Sequence, residues 1–345
     1  MIRQTPTVAI DIGHSNLKMV HTAPDGRILR FVVHKMPEGC VEDVSILSED
    51  ALISSLKNAR HTAHLTAGKC NLVLSGSDII IRHFTLPVLP EDELYQNIIN
   101  EMSGYLPVDP DKYCIDYKIA GRVQEDGVDM YRVLVTTAHR RIVSGYRKAL
   151  RHAGYGIRVI DTCENAIEKL LRIRFEKEGQ FCADEGIAVI DFGTAHTRVH
   201  LYYKGSFFVS NVIKRAGEKI TEAISQTSGK DVLTAETMKR ENDFLSGSHK
   251  NTDITAAVTY EVDSLLFEIA RVFDYFKNRT KKMVGAIYIA GGGSLLPGLP
   301  EYLSMHLKMP VRFASELMVL PGNVDPKGFS FMLNAYAATF REDAK

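Results

Sequence analysis

The feature that most restricts this chain is a short pattern that occurs twice. The first copy runs Val8-Ala9-Ile10-Asp11-Ile12-Gly13-His14-Ser15-Asn16-Leu17-Lys18-Met19-Val20. An apolar run enters an acidic residue and a glycine, passes a small polar turn and leaves as a second apolar run. That order predicts a strand, a tight turn and an antiparallel return strand. The second copy is Ile187-Ala188-Val189-Ile190-Asp191-Phe192-Gly193-Thr194-Ala195-His196-Thr197-Arg198-Val199, in which Ile190-Asp191-x-Gly193 falls 180 positions after Ile10-Asp11-x-Gly13. A basic residue follows at the same place in each (Lys18, Arg198), and each hairpin closes on a glycine turn (Gly26, Gly205). A single Asp-x-Gly turn closes many ordinary hairpins. Two with matching flanks point to an internal duplication and hence to two related halves.

The 345 residues suffice for two domains with full cores, and 45% hydrophobic with 24% charged content belongs to ordinary globular chains. Lys+Arg and Asp+Glu both number 42, so no net field draws the chain to nucleic acid or anionic lipid. Cys40, Cys70, Cys114, Cys163 and Cys182 form an odd set without a Cys-x-x-Cys pair. This argues against a disulfide framework and a zinc motif, and suits a reducing cytoplasm. No signal-peptide pattern opens the chain, and no apolar run nears the roughly 18 residues of a spanning helix. A cytoplasmic protein is expected, reaching membranes only through partners.

In order, strands are predicted at 28–33, 71–75 and 79–84, with a helix capped by Ser48 running to Arg60. From Leu86-Pro87-Val88-Leu89-Pro90 the texture changes. A helix with Leu94, Ile98 and Met102 on one stripe precedes a hairpin at Glu125-Asp126-Gly127, a basic helix 140–152 ended by Gly154, and a strand 157–160. Residues 89–160 therefore suggest an inserted subdomain. A helix 166–175 leads to the polar link Glu178-Gly179-Gln180 and then to the second copy of the pattern. Residues 228–281 are expected to be mainly helical, with Thr234 as a cap. A long helix from Ile254 carries Val258, Val262, Leu265, Ile269, Val272, Phe273 and Phe276 toward a core. A buried strand 286–290 runs into Gly291-Gly292-Gly293-Ser294, followed by a helix 299–307, a strand 311–313 and a closing helix 331–340.

Glycine turns at strand ends are where α/β folds hold phosphates. A carboxylate beside phosphate is unfavourable unless a divalent cation lies between them. Asp11 and Asp191 would then lie near one shared Mg²⁺, and Gly291-Gly292-Gly293 could pass beneath a nucleoside.

This order of motifs resembles the actin, sugar-kinase and heat-shock chaperone superfamily of ATP-binding folds. More narrowly, Val8–Val20, the stretch from Phe84-Thr85-Leu86-Pro87 to Tyr105-Leu106-Pro107, and Ile289-Ala290-Gly291-Gly292-Gly293-Ser294-Leu295-Leu296-Pro297-Gly298-Leu299 resemble the PilM family of type IV pilus assembly, and beyond it the division protein FtsA. The resemblance implies an α/β, actin-like (ribonuclease H-like, duplicated) two-lobed fold with a small FtsA-type inserted α+β subdomain. The lobes would comprise 1–88 with 161–180 and 322–345, and 185–227 with 282–321. The insertion would be 89–160, and 228–281 a helical subdomain.

Carried over by position, Asp11, Gly13, Ser15, Asn16 and Lys18 would form a first phosphate loop for ATP, and Asp191, Gly193, Thr194 and Thr197 a second. Gly217, Glu218 and Lys219 would flank ribose and base, Gly291, Gly292, Gly293 and Ser294 the adenosine, and Arg271 would stack on adenine. Asp11 and Asp191 would hold Mg²⁺ through water, and Asp161 would position an attacking water. His14, His196 and Arg198 depart from the ATPase pattern, so binding with weak or absent hydrolysis is implied. The implied partners are the N-terminal peptide of the inner-membrane protein PilN, the pilus motor ATPases and other copies of the chain, and the implied place is the inner membrane's periphery. A filament-forming protein and a small-molecule kinase on the same fold stay open as alternatives.

Overall fold

The computed structural model describes residues 2–4, 7–106, 110–178, 184–246, 252–322 and 325–342. Two five-stranded sheets dominate it, and they share one topology. The first is ordered Tyr155–Thr162, Gly68–Leu74, Thr7–Ile12, Asn16–Thr22, Ile28–Lys35. The last three strands form an antiparallel meander and the first two add in parallel. The second sheet repeats this, with Gly186–Phe192, Thr197–Tyr203 and Ser206–Ile213 as the meander and Val284–Ala290 and Val311–Phe313 added in parallel. The duplicated pattern lies at the same register in both: Asp11 pairs with Lys18, and Asp191 with Arg198.

Each sheet buries both faces, which is why its central strands are almost continuously apolar. The outer face of the first sheet packs on the helices Glu49–Thr62 and Arg140–His152, through Leu52, Leu56, Ile142, Tyr146 and Leu150. The outer face of the second packs on Gly217–Ser228, Val232–Glu241, Thr252–Thr280 and Leu299–Leu307. Along the 29-residue helix, Val258, Val262, Leu265, Ile269, Val272 and Phe276 are buried and Phe273 partly so, as the stripe requires. The inner faces share one core. Ala9, Val20 and Val73 meet Val189, Tyr202 and Tyr288 across the helix Cys163–Glu178 and the segment Phe329–Phe340.

A separate three-stranded sheet, Ile79–Pro87, Val128–His139 and Tyr113–Glu125, carries the helix Glu91–Ser103 on Leu94, Ile98 and Met102. Its hairpin turns at Asp126 (φ 51°) and Gly127 (φ 79°), two left-handed residues whose twist matches the paired strands. Drawn by its sheet, the insertion runs from Ile79 to His139, against the expected 89–160. Strand Ile79–Pro87 pairs inside the insertion, whereas helix Arg140–His152 and strand Tyr155–Thr162 belong to the first lobe. Hydrophobic pattern alone does not say which sheet a strand joins.

Three local expectations are corrected. Ser48 occupies the first helix's cap position but its hydroxyl makes no cap bond. Asp231, not Thr234, caps the helix Val232–Glu241 by accepting from the Thr234 N–H and hydroxyl. The closing helix is a 3-10 turn Lys327–Met332, a short helix Leu333–Ala337 and a strand Phe340–Glu342 paired with Ile2–Gln4. Pro107, Gly179, Gln180 and Cys182 lie outside the described residues.

Candidate functional site

The two turns are built alike. Gly13 N–H donates to Asn16 O at 3.0 Å, and Gly193 N–H donates to His196 O at 3.0 Å. A Cβ on Gly193 would stand 2.6 Å from His196 O, so the turn cannot close around a side chain. Asp11 is 4% exposed and accepts from Lys18 Nζ at 2.9 Å. Asp191 accepts from Asn334 Nδ2 at 3.0 Å. Burial opposes the charge on Lys18, but the carboxylates of Asp11 and Asp191 outweigh it and raise its pKa above the ordinary lysine value. One ammonium thus lies in the field of two carboxylates, one from each lobe. Ser15 and Asn16 are half-buried on the first turn and Thr194 is exposed on the second.

The glycine turn after strand Val284–Ala290 docks on the second loop. Gly291 has φ 80°, and a Cβ there would collide with Asp191 Oδ1 and Phe192 O. On Gly293 it would stand 2.9 Å from Phe192 Cβ, whereas on Gly292 it would meet nothing within 4 Å. Gly291 and Gly293 are thus required by the protein's own packing, and Gly292 is the open member of the three. Gly217 starts its helix against the same loop, donating to Gly193 O at 3.2 Å, while Glu218 N–H donates to Thr194 O at 2.9 Å. The side chains of Glu218 and Lys219 are exposed, and Lys219 pairs with Glu222 at 2.6 Å.

Four named residues are not brought to the cleft as ligands. Thr197 is buried with its hydroxyl donated to Arg215 O at 2.8 Å. Ser294 is fully enclosed and donates to Gly291 O at 2.7 Å, closing its own turn. Arg271 is largely exposed beside Glu268, and ten residues of helix put it about 15 Å beyond Glu261, which pairs with Arg215 near the second loop. Asp161 is 8% exposed and already committed. Its Oδ1 accepts from Thr162 N–H at 2.9 Å and Asn165 Nδ2 at 2.7 Å, and its Oδ2 pairs with Lys169.

Other residues tie the site together without any motif to announce them. Arg198 Nη2 reaches Asp43 Oδ1 at 2.9 Å, joining second lobe to first. Lys239 Nζ donates to Gly217 O at 3.0 Å and pairs with Glu236; burial lowers its pKa. A basic residue in a helix gives no such sign in sequence, since only the fold brings it to the loop.

No curated protein matches the sequence significantly. Solved structures match the fold. The type IV pilus biogenesis complex PilM-PilN shows a TM-score of 0.81 at 22% identity, covering 97% of this chain and 98% of that one. The ethanolamine utilization protein EutJ of Carboxydothermus hydrogenoformans gives 0.58 at 13%, covering 97% and 91%. MreB5 of Spiroplasma citri bound to AMPPNP gives 0.51 at 13%, covering 96% and 94%. The fold is therefore actin-like, as the duplicated sheets require. The sequence family described as type IV pilus assembly protein PilM matches residues 9–337, so the chain belongs to that family.

Proposed function

We propose that the chain is a nucleotide-dependent scaffold of type IV pilus assembly, with Mg-ATP held between the two Asp-x-Gly turns. The observation carrying this reading is Lys18 in the shared field of Asp11 and Asp191. This donor set fits a magnesium-phosphate group: one ammonium for phosphate oxygens, and two carboxylates that hold Mg²⁺ through water. Gly13 and Gly193 bring backbone close, and Ser15, Asn16 and Thr194 add hydroxyl and amide donors. Gly217, Glu218, Lys219 and the open Gly292 flank the nucleoside. The bound ion supplies positive charge between the lobes.

A ligand contacting both lobes favours the arrangement in which they are close. Hydrolysis is weak or absent, because Asp161 has its oxygens committed to Lys169, Asn165 and Thr162 instead of to a water. The partner is the N-terminal peptide of PilN, held in a groove between the first lobe and the insertion, through which the chain is recruited to the inner membrane and relays nucleotide state toward the pilus motor ATPases. Family membership and the fold shared with a PilM-PilN complex support this reading. Titrating a PilN N-terminal peptide with and without Mg-ATP tests it. Binding whose affinity changes with nucleotide is expected, and absence of binding in both conditions contradicts it.

A further inference from the structure

The helix Cys163–Glu178 begins where the lobes meet, and its first two residues face a histidine of the opposite lobe. Cys163 Sγ lies 4.0 Å from His200 Nε2, and Glu164 Oε1 lies 3.7 Å from His200 Nδ1. One ligand atom from each of these residues lies within 4.8 Å of the other two. Cys163 and His200 are fully enclosed, while the Glu164 side chain is 12% exposed. His200 Nδ1 also meets Ser210 Oγ at 3.0 Å. With Nδ1–H donated to that hydroxyl, Nε2 turns its lone pair toward Cys163. Metal-binding imidazoles are held in this way, by a fixed acceptor on the other ring nitrogen. The enclosed Ser75 hydroxyl lies beside the Cys163 thiol.

We propose that Cys163, Glu164 and His200 form a structural site for one zinc-class divalent ion that clasps the first lobe to the second. Zinc takes sulfur at about 2.3 Å and nitrogen at about 2.0–2.1 Å, which sets the two roughly 3.6 Å apart in a tetrahedron. The observed separation needs to contract by only a few tenths of an ångström. Thiolate, imidazole and carboxylate together select zinc or cobalt over magnesium or calcium. The thiol proton leaves to solvent as the metal–sulfur bond forms, and thiolate and carboxylate then cancel the dication's charge in a buried place. Arg198, the cation near these groups, is committed to Asp43 and leaves the Glu164 carboxylate to the ion. The exposed edge of Glu164 gives the ion its entry, and water or the Ser75 hydroxyl fills the fourth position. No spacing motif announces the site, because Cys163 and His200 are 37 positions apart and on different lobes.

The test is titration of the full chain, stripped with chelator and dialysed, with Co²⁺. One ion per chain is expected, with a sulfur-to-cobalt charge-transfer band in the near ultraviolet that Zn²⁺ bleaches, and a higher Tm with either metal. Cys163→Ser should abolish the band, whereas Cys114→Ser and Cys182→Ser should keep it. Glu164→Gln, at the partly exposed ligand, guards against a misfolded Cys163 variant. It should weaken Co²⁺ by about tenfold or more at an unchanged circular dichroism spectrum. A folded chain that gives no charge-transfer band, or a band that survives Cys163→Ser, overturns the proposal.

Discussion

Lys18 shows how one residue serves both stability and the site. Its side chain is 16% exposed and that of Asp11 is 6%, so removing the ammonium leaves a nearly buried carboxylate without its cation. Lys18→Met should lower stability by about 2–3 kcal/mol, read from urea unfolding at neutral pH. The sign of the pH dependence follows from the raised native pKa. The contribution is complete below the unfolded value of 10.5 and fades as pH climbs through the native one, so wild type should lose its advantage over Lys18→Met only above pH 10.5. The equivalent positions of Asp11 and Asp191 in the two sheets were legible in the sequence because chemistry and flanking pattern coincide there twice. The neutralisation of Asp161 was not: Lys169 lies eight positions on, along a helix whose facing depends on the fold. Arg198 and Asp43, 155 positions apart, meet only once both lobes exist.

At the level of elements, the three glycines after strand Val284–Ala290 separate fold from function. Gly291→Ala places a side chain at φ 80° against Asp191 and Phe192, and should cost about 1–3 kcal/mol in thermal unfolding. Gly292→Ala meets no atom within 4 Å, so Tm should hold while nucleotide affinity, read by calorimetry, falls. Unchanged affinity in Gly292→Ala would remove this loop from the nucleoside's surroundings. Helices with a long stripe were readable from sequence, since burial repeats at their period. The pattern reads 79–84 rightly as a strand but places it with the first lobe, and it reads 331–340 as one helix, because the partners Val128–His139 and Ile2–Gln4 are chosen by tertiary pairing.

Across the whole molecule, the insertion is fastened to both lobes through Glu168, which is 1% exposed. Its Oε1 accepts from Lys118 Nζ of the insertion at 2.7 Å and from Arg172 at 2.6 Å, and its Oε2 from Phe207 N–H of the second lobe at 2.8 Å. Glu168→Gln should destabilise by about 3 kcal/mol in chemical denaturation, because two cations lose one buried carboxylate. A second fastening is His83 of the insertion, stacked on Phe207 with centroids 5.8 Å apart. Desolvation of the ring against its neighbours first, and the charge of Arg132 second, lower its pKa although part of the residue stays exposed, so the unfolded chain takes up the proton first as pH falls below 6.5. Stability should drop as pH falls below 6.5, with a shallower slope in His83→Gln.

The proposed clamp places one Mg-ATP between the lobes, where Lys18 lies in the field of a carboxylate from each. Calorimetric titration of Mg-ATP into wild type, Asp11→Ala and Asp191→Ala tests this most directly. The clamp predicts that each substitution weakens binding by about tenfold or more while circular dichroism stays unchanged, since each lobe supplies one carboxylate to the same ion. Wild-type affinity in a folded Asp11→Ala chain would contradict it.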